Sequence, residues 1–223
     1  MLHIHKEILS FSDMPEIAAH SEKTVMLVRH SIRESLQNGS HDPGLTAEGR
    51  EYARRCGTFL RGMNGVCFGS SFRKRSVETV QALIEGAGFE LSEIKLYPVI
   101  GDTAQFQRPE DLDITIDNGN IPALLKQYFT TGIAERMIPL PEYHKSLLGF
   151  LTTTEFGNRN VILASHDIVI AALLLPLNVY PFRQDDWCGY IQGAALYQSS
   201  NGDWTIGYIV PDKNTREKYT LFV

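Results

Sequence analysis

The sequence predicts an α/β fold: a three-layer sandwich with a mostly parallel central sheet and helices on both faces. Two observations carry this. Short apolar runs alternate with stretches of helical periodicity along the chain, and such alternation builds parallel sheets covered on both sides. The runs are also apolar throughout rather than alternating, as strands buried on both faces are. The 223 residues contain no repeat, low-complexity tract or Gly/Ser linker. They read as one domain with a short N-terminal extension (about 1–22), long enough to bury a core without staples.

Each element has a local reason. Val25-Met26-Leu27-Val28 is a compact apolar run ending in charge, the pattern of a buried parallel strand. Thr46 is a candidate N-cap, followed by Tyr52, Ala53, Cys56, Phe59 and Leu60 at helical spacing. Val66-Cys67-Phe68 is a second strand candidate. A helix from about Arg73 to Glu85 follows, with Val77, Val80, Leu83 and Ile84 on one face. Ile94 to Val99 reads as a third strand. Gly101 to Asn120 is polar and without period, a loop or short helix, and the stretch to Met137 is expected to roof a pocket. Two helices are expected between Ile121 and Thr154. Val161-Ile162-Leu163-Ala164 is the fourth strand, and a helix starts near Asp167. Ala194 to Gln198 and Trp204 to Val210 flank the turn Asn201-Gly202-Asp203 as an antiparallel hairpin.

Composition excludes several classes. The net charge of −5 gives no global field for nucleic acid, although a local basic pocket remains compatible with it. Cys56, Cys67 and Cys188 are odd in number and lack CxxC spacing, which argues against a disulfide framework or zinc knuckle. They read as buried apolar residues in a reducing compartment. Residues 1–20 have no signal-peptide core. The longest apolar run, Ile168 to Leu177, is about half a membrane span and is interrupted by Pro176. The expected location is cytoplasmic, with no membrane or nucleic-acid partner. The sequence does not reveal an oligomeric state.

Three strand candidates end in reactive or cationic groups. Leu27-Val28 leads into Arg29-His30-Ser31-Ile32-Arg33, the second strand into Arg73, Lys74 and Arg75, and the fourth into Ser165-His166-Asp167. In open α/β sheets ligands bind beyond the carboxyl ends of the strands. Two histidines and several arginines converging there suit phosphoryl transfer, which is mostly positioning and charge stabilisation. Arginine gives bidentate contacts and stays ionised, and a neutral imidazole is a nucleophile near pH 7. Singly, each piece has a plainer reading. Arg73-Lys74-Arg75 also suits a solvated helix face, and His166-Asp167 a helix N-terminus.

The four segments together resemble the histidine phosphatase superfamily. Arg29-His30-Ser31 is similar to its Arg-His-Gly signature, and Leu45-Thr46-Ala47-Glu48-Gly49 to its Leu-Thr-x-x-Gly segment. Ser70-Ser71-Phe72-Arg73-Lys74-Arg75 through Thr79 resembles Ser-Ser-Pro-x-x-Arg-x-x-x-Thr, and Ala164-Ser165-His166 its second catalytic histidine. The resemblance implies a metal-independent phosphomonoesterase without cofactor, acting on a small phosphorylated substrate. It implies that His30 is phosphorylated, that Arg29, Arg75 and His166 hold the phosphoryl oxygens, and that Arg33 adds a further contact. It offers two general acids: Asp167, by the His-Asp pairing of the acid-phosphatase branch and preferred because it directly follows His166, and Asp102, near the Glu of the mutase-like branch and expected on a loop away from the arginines. The chain departs from the pattern at Ser31 for Gly and Phe72 for Pro. It also has Leu36, with Asn38 nearby, where mutase-like members carry Asn, which argues against a phosphoglycerate mutase. Ser31 motivates the competing reading, a phosphate-recognition module with weak turnover; a phosphomutase is the third.

Other residues carry less. His3 and His5 lack a third metal ligand, and no metal site is expected. His41-Asp42 suits the pocket mouth. His144, Trp187 and Trp204 suit packing. Ser70-Ser71 lack the Gly-x-Ser-x-Gly elbow of serine hydrolases.

Overall fold

The computed structural model describes residues 1–5, 7–35, 42–90, 93–117, 119, 121–180, 182 and 187–212. Its centre is one sheet. In chain order the strands are β1 (Leu2–Ile4), β2 (Leu9–Ser10), β3 (Lys23–Arg29), β4 (Val66–Ser70), β5 (Ile94–Leu96), β6 (Asn160–Ser165), β7 (Gly193–Gln198) and β8 (Trp204–Val210). The spatial order is β1-β8-β7-β3-β6-β4-β5, with β2 also on β8. β3, β6, β4 and β5 are parallel neighbours, while β7 is antiparallel to both β3 and β8. The fold is α/β with a mostly parallel sheet, as the sequence predicts, and the late hairpin is its antiparallel part.

Helices α1 (Met14–Ala19), α2 (Ala47–Gly57) and α3 (Lys74–Ala87) cover one face. α4 (Glu110–Asp117), α5 (Ile121–Thr131), α6 (Leu140–Thr153) and α7 (Asp167–Leu174) contribute to the core on the other. Strand residues alternate between the two cores because successive side chains point to opposite faces. Val25 and Leu27 face α6 and α7, while Met26 and Val28 face α2 and α3; Val161 and Leu163 alternate likewise with Ile162 and Ala164. α7 is buried from Ile168 to Leu174 on every side, since it lies between the sheet and α6.

The boundaries show local chemistry. Thr46 Oγ1 accepts the Gly49 N–H at 2.9 Å, the expected N-cap of α2. α3 closes on Gly88 at φ 73°, where a left-handed cap satisfies the Ile84 carbonyl. Two strand readings change. β4 runs on to Ser70, and β5 stops at Leu96 rather than Val99, because Pro98 lacks an N–H and opens a short 3-10 turn, Pro98–Ile100. The stretch read as polar loop or short helix contains α4. Residues 1–22 place two short strands on the β8 edge of the sheet and α1 against β3.

The connections create a crevice. The chain leaves β3 toward α2 on one face, while the neighbouring β6 leads to α7 on the other. Adjacent parallel strands whose exits diverge leave a cleft at their carboxyl ends. Arg29 pairs with Ser165 and Ser70 with Ala164, so the three strands end level.

Candidate active site

Beyond those three ends the ladder continues for one residue, with His30 N donating to Ser165 O at 2.9 Å and Ser71 N to Ala164 O at 3.0 Å. His30, Ser71 and His166 are thereby fixed by backbone at the mouth of the crevice. All three are buried, as are Arg29 and Arg75. The two imidazole centroids are 5.5 Å apart at 62°. The sheet thus brings together residues far apart in the chain.

His30 Nδ1 lies 2.7 Å from the Ser31 carbonyl oxygen. A carbonyl only accepts, so Nδ1 carries the proton and the neutral ring keeps its lone pair on Nε2. Burial, then the charges of Arg29, Arg75 and His166, hold the His30 pKa well below its ordinary value, so the ring is neutral at pH 7. His166 is depressed in the same way by burial, Arg75, Arg73, Arg29 and Arg33. Its Nδ1 is 3.4 Å from Arg75 Nη2 and its Nε2 is 2.9 Å from Ser71 Oγ. A guanidinium only donates, which assigns the His166 proton to Nε2 and directs it at Ser71.

The loop carrying His30 is pinned from two helices. Ser31 N donates to Thr79 Oγ1 at 2.9 Å, and Thr79 Oγ1 in turn donates to the Arg75 carbonyl one turn back in α3. Ser31 Oγ donates to the Gly49 carbonyl at 2.7 Å, and Thr46 N donates to the Ile32 carbonyl at 3.0 Å. A Cβ on Gly49 would stand 2.0 Å from that Ile32 oxygen, so only glycine lets α2 approach the loop this closely. The residue at 31 is therefore tolerated as serine: its hydroxyl turns to α2 and has a partner there.

Four arginines surround the imidazoles. Arg29 gives Nη1 to the Cys188 carbonyl at 2.6 Å and Nη2 to Asp167 at 3.0 Å. Arg75 gives Nη2 to Asp102 at 2.7 Å, and its Nη1 is 3.6 Å from Asp42. The Nε atoms of Arg29 and Arg75, and Nη1 of Arg75, are buried without a hydrogen-bond acceptor. Arg73 Nε donates to both Asp102 oxygens at 2.9 Å. Arg33 is half-buried, donates Nη1 to the Glu34 carbonyl at 2.9 Å, and acts on His166 and Arg75 through its charge. Buried guanidinium N–H groups without acceptors suit an oxyanion with several oxygens.

One sequence expectation is corrected. Asp102 does not lie on a loop away from the arginines: the turn after Pro98 delivers it directly onto Arg73 and Arg75. Asp167 lies on Arg29, with Oδ1 also accepting the Ile168 N–H at 2.8 Å. Sequence reading named Arg73 among the strand-end cations and Asp42 at the pocket mouth without giving either a partner, and it passed over Ser71 as the partner of His166 and Tyr190, whose ring covers Arg29. Ser71 and Arg73 stood inside a quoted motif, whereas no local signal marked Tyr190. His41, Leu36 and Asn38 lie outside the described residues. His144 Nδ1 donates to the Ala172 carbonyl at 3.1 Å, and Trp187 packs on Phe129 and Phe182. Cys56, Cys67 and Cys188 are free, and burial pushes the Cys56 thiol up to about 12.

Residues 25–97, spanning β3 to β5 with the His30 and Arg75 segments, match the model of the Histidine phosphatase superfamily (branch 1). This part of the chain is similar to the histidine phosphatase superfamily. Among solved structures the chain is similar to a phosphoglycerate mutase from Bacillus anthracis str. Sterne. The identity is 17%, the TM-score 0.59, and the match covers 90% of this chain and 98% of that one. It is also similar to Mycobacterial hydrolase 1 (19% identity, TM-score 0.55, 82% and 96% covered). A third likeness is to YhfR of Bacillus stearothermophilus (17%, 0.54, 83% and 96%). These are likenesses of fold. No curated protein matches the chain. Among the described residues no helix is long and apolar enough to cross a membrane.

Proposed function

We propose that this protein is a histidine phosphatase, a metal-independent phosphomonoesterase that acts on a small phosphorylated substrate through a phosphohistidine at His30. The observation that carries the reading is a buried His30 whose Nδ1 is committed to the Ser31 carbonyl, which leaves the lone pair on Nε2, beside Arg29 and Arg75, whose buried Nε atoms have no acceptor. Nε2 attacks phosphorus, and the ester P–O bond breaks. The charge on the phosphoryl oxygens is met by Arg29, Arg75 and His166, with Arg33 adding to the field. Because the arginines supply the charge that a metal would, activity is expected to survive EDTA.

The departing oxygen needs a proton, and Asp102 and Asp167 are the carboxyls at hand. We place donation at Asp102. Both its partners are arginines whose donors a phosphoryl group competes for. Asp167 is held in addition by the backbone N–H of Ile168 at the start of α7, where a carboxylate is stabilised and no substrate displaces the bond. Water then attacks the phosphohistidine and releases inorganic phosphate, returning its proton to the carboxylate. Ser31 supports turnover over mere phosphate recognition, because it leaves the His30 backbone geometry tied on both sides.

The test is rapid quench into alkaline SDS with p-nitrophenyl phosphate labelled in its phosphoryl group. Wild type is expected to accumulate acid-labile label on one histidine, and His30→Ala to lose both label and turnover by more than about 10³-fold with its fold retained. Turnover within tenfold of wild type in His30→Ala sinks the assignment.

A further inference from the structure

A strained turn leads into β7. Ile191 has φ 58°, a left-handed conformation that is costly for a β-branched residue. Arg29 holds this turn at three points. Its Nη1 donates to the Cys188 carbonyl at 2.6 Å, its N–H donates to the Gln192 carbonyl at 2.9 Å, and its carbonyl accepts the Ile191 N–H at 3.1 Å. Gly189 N closes the turn on the Gln192 side chain at 3.0 Å. The residue this geometry presents to the site is Tyr190, buried, with its ring 4.6 Å from the Arg29 guanidinium carbon. The same ring stands 5.8 Å from the His30 imidazole at 49°.

We propose that Tyr190 is a positioning residue of this site, its ring fixing the Arg29 guanidinium and the His30 imidazole relative to one another, delivered by the strained turn at Ile191. The proposal rests on the phosphatase reading above. With Nη1 on Cys188 and Nη2 on Asp167, a ring over the guanidinium plane leaves Arg29 one aim for its unpartnered Nε. His30 is held on three sides, by the Ser31 carbonyl at Nδ1, by His166 and by Tyr190. Its Nε2 then has one direction left. An aromatic face there also excludes water. The charged groups facing His30 are Arg29 from β3, offset by Asp167, and Arg75 from α3, offset by Asp102 and Asp42; the titratable His166 faces it from the end of β6. Removing the ring admits water and lets the imidazole titrate nearer its ordinary 6.5.

The experiment compares Tyr190→Phe and Tyr190→Leu in the full chain. It reads kcat and KM for p-nitrophenyl phosphate across pH, the His30 C2–H titration by NMR, and Tm. Tyr190→Phe is expected to stay within about threefold of wild type, because it keeps the ring. Tyr190→Leu is expected to lose about tenfold to hundredfold in kcat/KM, mostly in kcat. Its acid limb and the His30 titration both move up in pH. A ring that only fills the core would lower Tm and leave the titration unmoved, which overturns the proposal. So does a Tyr190→Phe as impaired as Tyr190→Leu, which would assign the role to the hydroxyl. If Tyr190→Leu does not fold, Tyr190→Met is read against the same criteria. The titration needs no turnover, so an inactive wild type rejects the phosphatase reading while the positioning role is still decided.

Discussion

At the scale of single residues, the site depends on which hydrogen bonds are already taken. Ser31 fixes the His30 tautomer through its carbonyl, and Arg75 fixes that of His166 through a donor that cannot accept. The two carboxyls differ in the same currency. Among the described residues Asp102 is bound by side chains alone, Asp167 by a side chain and a helix N-terminal amide. This difference is testable through leaving-group basicity. With an alkyl phosphate, Asp102→Asn is expected to lower kcat about 10²–10⁴-fold, and with p-nitrophenyl phosphate far less, since that leaving group needs little protonation. Asp167→Asn is expected to show no such contrast. A contrast confined to Asp167→Asn moves the proton donor to Asp167.

At the scale of elements, the close approach of α2 to the His30 loop is the contact that ties helix packing to the site. Gly49→Ala places a methyl group against the Ile32 carbonyl, a backbone atom that cannot step aside. The expected cost is about 1–3 kcal/mol, with a loss of activity because the Ser31 carbonyl moves with the loop. Gly149, within α6, has nothing near its missing Cβ. Gly149→Ala is expected to stabilise by roughly 0.5–1 kcal/mol through helix propensity alone and to leave activity unchanged. Urea denaturation of the two variants checks the pair; equal effects would mean that the α2 approach is slack. Much at this scale was legible in the sequence. Thr46 as a cap, the apolar run before Arg29 and the hairpin at Asn201-Gly202 are local signals with local causes. The end of β5 was misjudged because Val99 extended an apolar pattern that Pro98 had already broken.

At the scale of the whole molecule, burying the site makes stability depend on pH. His30 and His166 bind protons less readily in the folded chain than in the unfolded one, whose ordinary value is 6.5. Below 6.5 the unfolded chain therefore carries more protons, until the depressed folded values are reached, and stability rises with pH across that window. Acidification from pH 7 toward 5 is expected to lower Tm, each imidazole contributing up to about 1.4 kcal/mol per pH unit. His166→Gln, which removes one of the two, is expected to flatten the profile measured by calorimetry. A wild-type Tm independent of pH between 7 and 5 contradicts the burial argument for both rings.

The sequence by itself determined the elements and the chemistry of their ends. Strand period, caps, turns and the Arg29-His30, Arg75 and Ser165-His166 segments are set by neighbours a few residues apart, so they can be read in order along the chain. The tertiary structure alone decided who meets whom. Strand order put β6 beside β4, which brought Ser71 to His166; β5 beside β4, which brought Asp102 onto Arg73 and Arg75; and β7 beside β3, which brought the turn at Tyr190 over Arg29. No local pattern encodes these meetings, because they follow from parallel strands joined through long crossovers. Their register is fixed only when both faces of the sheet are buried at once.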